Sequence, residues 1–99
     1  MPAKDVAQLR SILQQQMPLL VERYGVVSLG LFGSYIRREN QPDSDLDILV
    51  VFKESPTLLR FIELENYLSD LLGVKADLVM RDALKPRIGR RILDEVVSV

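Results

Sequence analysis

A chain of 99 residues, 47% hydrophobic and 27% charged, is the size of one compact domain, residues 1–99, with a small core and room for one site. A formal charge of -1 and an isoelectric point near 5.4 argue against a surface built for broad binding to the nucleic-acid backbone. With no cysteine and no histidine, thiol nucleophiles, disulfides, imidazole bases and ordinary zinc sites are excluded, so any chemistry must run on carboxylates.

Val6, Leu9, Leu13, Leu20, Val21 and Tyr24 recur at helical spacing and predict an amphipathic helix over about residues 4–24. Pro18 lacks a backbone donor and predicts a kink or break near Met17, and Gly25 closes the helix. The β-branched, apolar run Val26 to Phe32 reads as a buried strand ending at Gly33-Ser34. Ser34 then opens a short helix over Tyr35 to Asn40, Gln41 to Asp45 is turn chemistry, and Asp47 to Phe52 is a second buried strand. Ser55-Pro56-Thr57 starts another amphipathic helix, which runs to Gly73. Val74 to Met80 is a third strand, and Pro86 opens a last helix over about Arg87 to Glu95. This alternation predicts an α/β fold, a small mixed β-sheet with helices packed on it. No apolar run is long enough to span a bilayer, and MPAKDVAQLR lacks the apolar core of a signal peptide, so a cytoplasmic protein is expected.

Chemistry concentrates on a few positions. Asp45 and Asp47 stand two apart at a strand entrance, so their side chains project to the same face and repel each other. A cation between them relieves that repulsion, and hard oxygen ligands select Mg²⁺ or Mn²⁺. Asp77, in the next strand, would complete a basin able to hold two metal ions of the kind that clamp the oxygens of phosphoryl transfer. Gly33-Ser34 supplies the other half. A strand ending in glycine at a helix N-terminus offers free backbone amides to a phosphate, with the Ser34 hydroxyl as a further donor or helix cap. Arg37, one turn on, adds positive charge toward the phosphates.

Gly33, Ser34, Asp45 and Asp47 spell G-S-x10-D-x-D, and with Asp77 they resemble the nucleotidyltransferases of the DNA polymerase β-like superfamily. The strings LFGS, SDLDILVVF and ALKPRIGRRILDE are similar to those of the minimal nucleotidyltransferase, or MNT, domains in particular. The resemblance implies the polymerase β-like fold and transfer of AMP from ATP. It assigns triphosphate binding to Gly33 and Ser34 and two Mg²⁺ ions to the Asp45 and Asp47 pair. Asp77 would complete the metal site and help to activate the acceptor hydroxyl. It further implies an antitoxin whose partner is a HEPN-family ribonuclease toxin, with a tyrosine of that partner as acceptor. One place departs from the pattern: relatives carry a small residue and a glycine around the motif arginine, where this chain has Ile36 and Arg38.

Other readings stand beside this one. Asp43, Asp45, Asp47 and Glu54 match positions 1, 3, 5 and 12 of an EF-hand loop, but Ile48 replaces its sixth-position glycine and begins an apolar strand. Arg81, Lys85, Arg87, Arg90 and Arg91 form a basic end that is either a solvated face or a grip on triphosphate or a partner. Tyr24, Tyr35 and Tyr67 read as packing residues. A non-catalytic antitoxin that works by binding alone, and transfer to a small molecule or RNA, are the functional alternatives. The apolar VVSV at the C-terminal end is a contact segment without an evident counterpart.

Overall fold

In the computed structural model, which describes residues 5–99, the first helix α1 spans Val6–Tyr24. Its start follows from a reciprocal cap: the Gln8 amide donates to the Asp5 carboxylate at 2.8 Å, and the Asp5 amide donates to the Gln8 side chain at 2.9 Å. The predicted start at residue 4 lies outside the described residues. Contrary to the break expected near Met17, the helix runs unbroken through Pro18. An interior proline costs roughly 3 kcal/mol. Leu9, Leu13, Leu20 and Tyr24, buried on both sides of it, hold the two halves to one core. Gly25 stops the helix in the left-handed conformation, at φ 69°.

Strand β1 spans Val26–Phe32, the short helix α2 Ser34–Arg37, and β2 Leu46–Phe52. Helix α3 spans Leu58–Leu72 and is capped by the Thr57 hydroxyl, which accepts from the Arg60 amide at 3.2 Å. Strand β3 is Ala76–Met80, followed by a 3₁₀ turn at Arg81–Ala83, helix α4 at Pro86–Glu95, and strand β4 at Val97–Ser98. The sheet order is β3-β2-β1-β4, with β2 and β3 parallel and the other pairs antiparallel, so the mixed sheet expected from the sequence is present.

Several features differ from the sequence reading, among them β2, which begins at Leu46 rather than Asp47. Helix α2 stops at Arg37 rather than Asn40, because Arg38 turns left-handed at φ 59° and its amide closes the turn. Strand β3 begins at Ala76 rather than Val74, since Gly73 is still the left-handed cap of α3, at φ 70°. VVSV supplies a fourth strand, held by backbone pairing of Val99 to Leu29 at 2.9 Å and by Arg10 donating to the Ser98 carbonyl at 2.8 Å.

Residue parity divides the sheet into two faces. Leu29, Leu31, Leu46, Ile48, Val50, Ala76 and Leu78 form one buried face with Leu9, Leu13, Leu20, Leu64, Leu68 and Leu72 of α1 and α3. The alternate residues, Gly30, Phe32, Asp47, Leu49, Asp77 and Val79, point the other way, and Gly30 faces Val96 at the end of α4. Helix α3 also blunts the β3 edge: the Ala76 amide donates to Ser69 Oγ and the Leu78 amide to Glu65 Oε2, both at 2.9 Å. Among the described residues no helix is long and apolar enough to cross a membrane.

Candidate active site

The site forms where β1 ends and β2 and β3 begin. Phe32 pairs with Asp47 across the antiparallel ladder, and Asp47 pairs with Asp77 across the parallel one, so the register places Asp47 between the end of β1 and Asp77. Leu46 and Ile48, on either side of Asp47, are fully buried on the opposite face, which fixes where the carboxylate points. Asp45 stands one residue ahead of β2, after a turn closed by Gln41 and Ser44, whose hydroxyl accepts from the Gln41 amide at 2.7 Å.

Gly33 adopts φ 84° and ψ -154°, a combination open essentially to glycine alone. A Cβ there would collide with the Asp47 carboxylate. The glycine is therefore required twice, for the turn and for the close approach of an acid to the backbone.

Asp47 is half-buried, and its carboxyl is pushed up from 3.8 to about 6. Burial is the largest cause, followed by the charge of Asp77, a hydrogen bond with Asp77 and the charge of Asp45, while Arg37 opposes them. A hydrogen bond between two carboxyl groups needs a proton on one of them, and a divalent cation replaces that proton where several carboxylates meet. Among the described residues no group of three or more acidic side chains is arranged to hold a metal ion as it stands. The donor set, all carboxylate oxygen, nonetheless suits Mg²⁺ or Mn²⁺, and the mutual repulsion felt by Asp47 is the strain that such an ion relieves.

The phosphate side departs in detail from the sequence reading. Gly33, not Ser34, occupies the cap position of α2, and no side chain caps that helix. Nor is the Gly33 amide free: it donates to Glu95 Oε2 at 2.6 Å. The amides of Ser34 and Tyr35 are the ones left without a hydrogen-bond partner among the described residues. Arg37 is half-exposed and held by two carboxylates, Nε to Glu39 and Nη1 to Glu95, both at 3.1 Å. These pairings, Glu39's hydrogen bond foremost, raise its already high pKa and keep it charged.

The structure thus gathers Gly33, Arg37, Asp45, Asp47 and Asp77 into one electrostatically coupled cluster, with Ser34 beginning the adjoining helix. Glu95 belongs to it as well and has no motif to announce it, because it lies 62 residues from Gly33 in the chain. Tyr24 and Tyr35 are core residues, and Tyr67 is half-buried with its hydroxyl donating to Gln16 at 2.9 Å.

Residues 8–99 match the profile of the nucleotidyltransferase domain. The protein adenylyltransferase MntA of Thermococcus cleftensis is 53% identical over 92 residues, 93% of this chain and 93% of its own length. A solved structure described as a candidate minimal nucleotidyltransferase superposes with a TM-score of 0.79 at 38% identity, covering 97% of each chain. A chain of a solved complex, described as tri-AMPylated Shewanella oneidensis HEPN toxin with MNT antitoxin, has a TM-score of 0.65 at 19% identity over 90% of this chain and 70% of its own, and shares the fold.

Proposed function

The chain belongs to the nucleotidyltransferase domain family, and we propose that within it the protein transfers AMP from ATP to a tyrosine hydroxyl of a HEPN ribonuclease, silencing that toxin. The observation that carries this reading is geometric: the register sets Asp47 opposite Asp77 and against the Gly33 turn, where burial and then the charges of Asp77 and Asp45 raise its carboxyl. Acids crowded beside a phosphate turn fit phosphoryl transfer better than any structural role. The 53% identity to a protein adenylyltransferase favours a protein acceptor, and the AMPylated HEPN toxin seen with a protein of the same fold favours the partner. This reading places the protein in the cytoplasm, with its ATP donor.

In this mechanism the Ser34 and Tyr35 amides, the Ser34 hydroxyl and Arg37 bind the triphosphate, and Gly33 lets it approach without a Cβ in the way. Asp45, Asp47 and Asp77 would hold two Mg²⁺ ions, which when bound would supply neutralisation of charge developing on the attacking and leaving oxygens. The acceptor oxygen bonds to the α-phosphorus as the bond to the bridging α–β oxygen breaks, and pyrophosphate leaves. The hydroxyl proton passes to the Asp77 carboxylate.

The experiment incubates the protein with α-labelled ATP, Mg²⁺ and a HEPN-type ribonuclease from the same organism. Label is expected on a partner tyrosine, and Asp45→Asn should abolish it. No transfer, or equal transfer by the variant, refutes the proposal. Variants that transfer nothing yet still neutralise the toxin would instead establish an antitoxin that acts by binding.

A further inference from the structure

Glu95 ends α4, far in sequence from the motif, yet it makes the tightest polar contacts to the phosphate turn. Its Oε2 accepts from the Gly33 amide at 2.6 Å and from Arg37 Nη1 at 3.1 Å, and Oε1 accepts from the same Nη1 at 3.1 Å. Glu39 takes the guanidinium at Nε. Two carboxylates therefore occupy two of the three guanidinium nitrogens, and Nη2 alone has no partner among the described residues.

A guanidinium is a planar, rigid fork, so fixing two of its nitrogens fixes the direction of the third. The Glu95 side chain is only 25% exposed, against 49% for Arg37 and 66% for Glu39, which makes it the anchored member of the three. The same carboxylate holds the amide of a glycine whose conformation only glycine adopts and whose Cα lies against Asp47. One side chain thus sets both the arginine and the turn.

We propose that Glu95 is a positioning residue for the triphosphate: by gripping the Gly33 amide and Arg37 Nη1 together, it holds the turn in place and aims Arg37 Nη2 at the phosphates. The inference rests on the nucleotidyltransferase reading above. It has a direct rival in the same contacts, since a carboxylate on two anion-binding donors also mimics a phosphate and could block the site. The two readings predict opposite signs. A positioning role weakens nucleotide binding when Glu95 is removed, whereas a blocking role strengthens it.

The test measures ATP affinity by calorimetry with Mg²⁺, on the full chain, for the unmodified protein, Glu95→Ala and Glu95→Gln. Losing one charge-assisted contact corresponds to roughly tenfold, so the alanine variant should bind ATP about tenfold more weakly. Glu95→Gln keeps an acceptor for the Gly33 amide and should fall between. Mn²⁺ binding in the absence of nucleotide should be unchanged. In an Arg37→Ala background, removing Glu95 should cost clearly less than the roughly tenfold seen with Arg37 present, because only its hold on the Gly33 amide is then lost. Unchanged or tighter ATP binding by Glu95→Ala, or an equal loss without Arg37, overturns this inference alone. If the unmodified protein binds no ATP, the proposed function falls and this inference with it.

Discussion

Replacing Asp47 by asparagine should make the metal-free protein more stable while removing its response to divalent cations. The folded-state carboxyl sits at about 6 against an ordinary 3.8, so between those values the folded chain holds more protons than the unfolded one. Stability therefore falls as pH rises from about 4 to about 6, and stays lower above that window. A displacement of about two pH units corresponds to a ceiling of about 3 kcal/mol at about 1.4 kcal/mol per unit. Asp47 is only half-buried, and solvent screening brings that figure down to about 1 kcal/mol. Asp47→Asn removes the charge, and its amide can donate to Asp77 where the protonated acid now does. At pH 7.5 with chelator, the variant should melt about 4–8 °C higher than the unmodified protein, and at pH 4 the two should nearly coincide. Adding Mn²⁺ or Mg²⁺ should stabilise the unmodified protein by mass action and leave the variant where it was. Thermal and urea denaturation at both pH values decide it. A variant less stable at pH 7.5, or a difference independent of pH, refutes the account of Asp47.

Two further substitutions probe the turn beside it. Gly33→Ala places a Cβ on the Asp47 carboxylate at a backbone conformation closed to alanine, so a loss of at least about 2 kcal/mol is expected, together with loss of ATP binding. Urea denaturation and calorimetry read the two effects. Arg38→Gly should act in the opposite direction. The left-handed backbone at φ 59° costs a non-glycine residue about 1–2 kcal/mol, and the extra freedom of glycine in the unfolded chain offsets part of the gain. A net gain of a few tenths to about 1 kcal/mol should appear in denaturation curves. A loss would mean that the Arg38 side chain contributes more than its backbone costs.

The parts of the fold legible in the sequence were those set by local chemistry. Gly25 and Gly73 stop helices because each adopts the left-handed conformation, and β1 has the limits that its apolar run suggested. Asp5 with Gln8, and Thr57, show why α1 and α3 begin where they do. Pro18 misleads because its local penalty is outweighed by four buried side chains of the same helix, a tertiary effect that no window of sequence displays. VVSV hid its strand for a related reason. Two paired residues are too few for a pattern, and their stability comes from Leu29, Gly30 and Leu31 on another strand and from Arg10 and Gln14 on a helix.

The site divides along the same line. Asp45 and Asp47 are two apart in the chain, so their shared face follows from strand parity alone, and Gly33 is marked by the turn it must make. Asp77 needed more. Only the parallel register opposite Asp47 brings it in, and a sequence shows that register only through resemblance. Glu95 needed the whole fold, because α4 must cross back to the end of β1 before its carboxylate can meet the Gly33 amide. Free backbone amides were expected at this turn, and they are those of Ser34 and Tyr35, because Glu95 takes the Gly33 amide. A glycine at a strand end announces an available donor, and whether the donor is already taken depends on a residue that local pattern cannot reach. In a chain this short, the helix that closes the sheet edge also supplies that acceptor, so packing and phosphate-site geometry are coupled through one side chain.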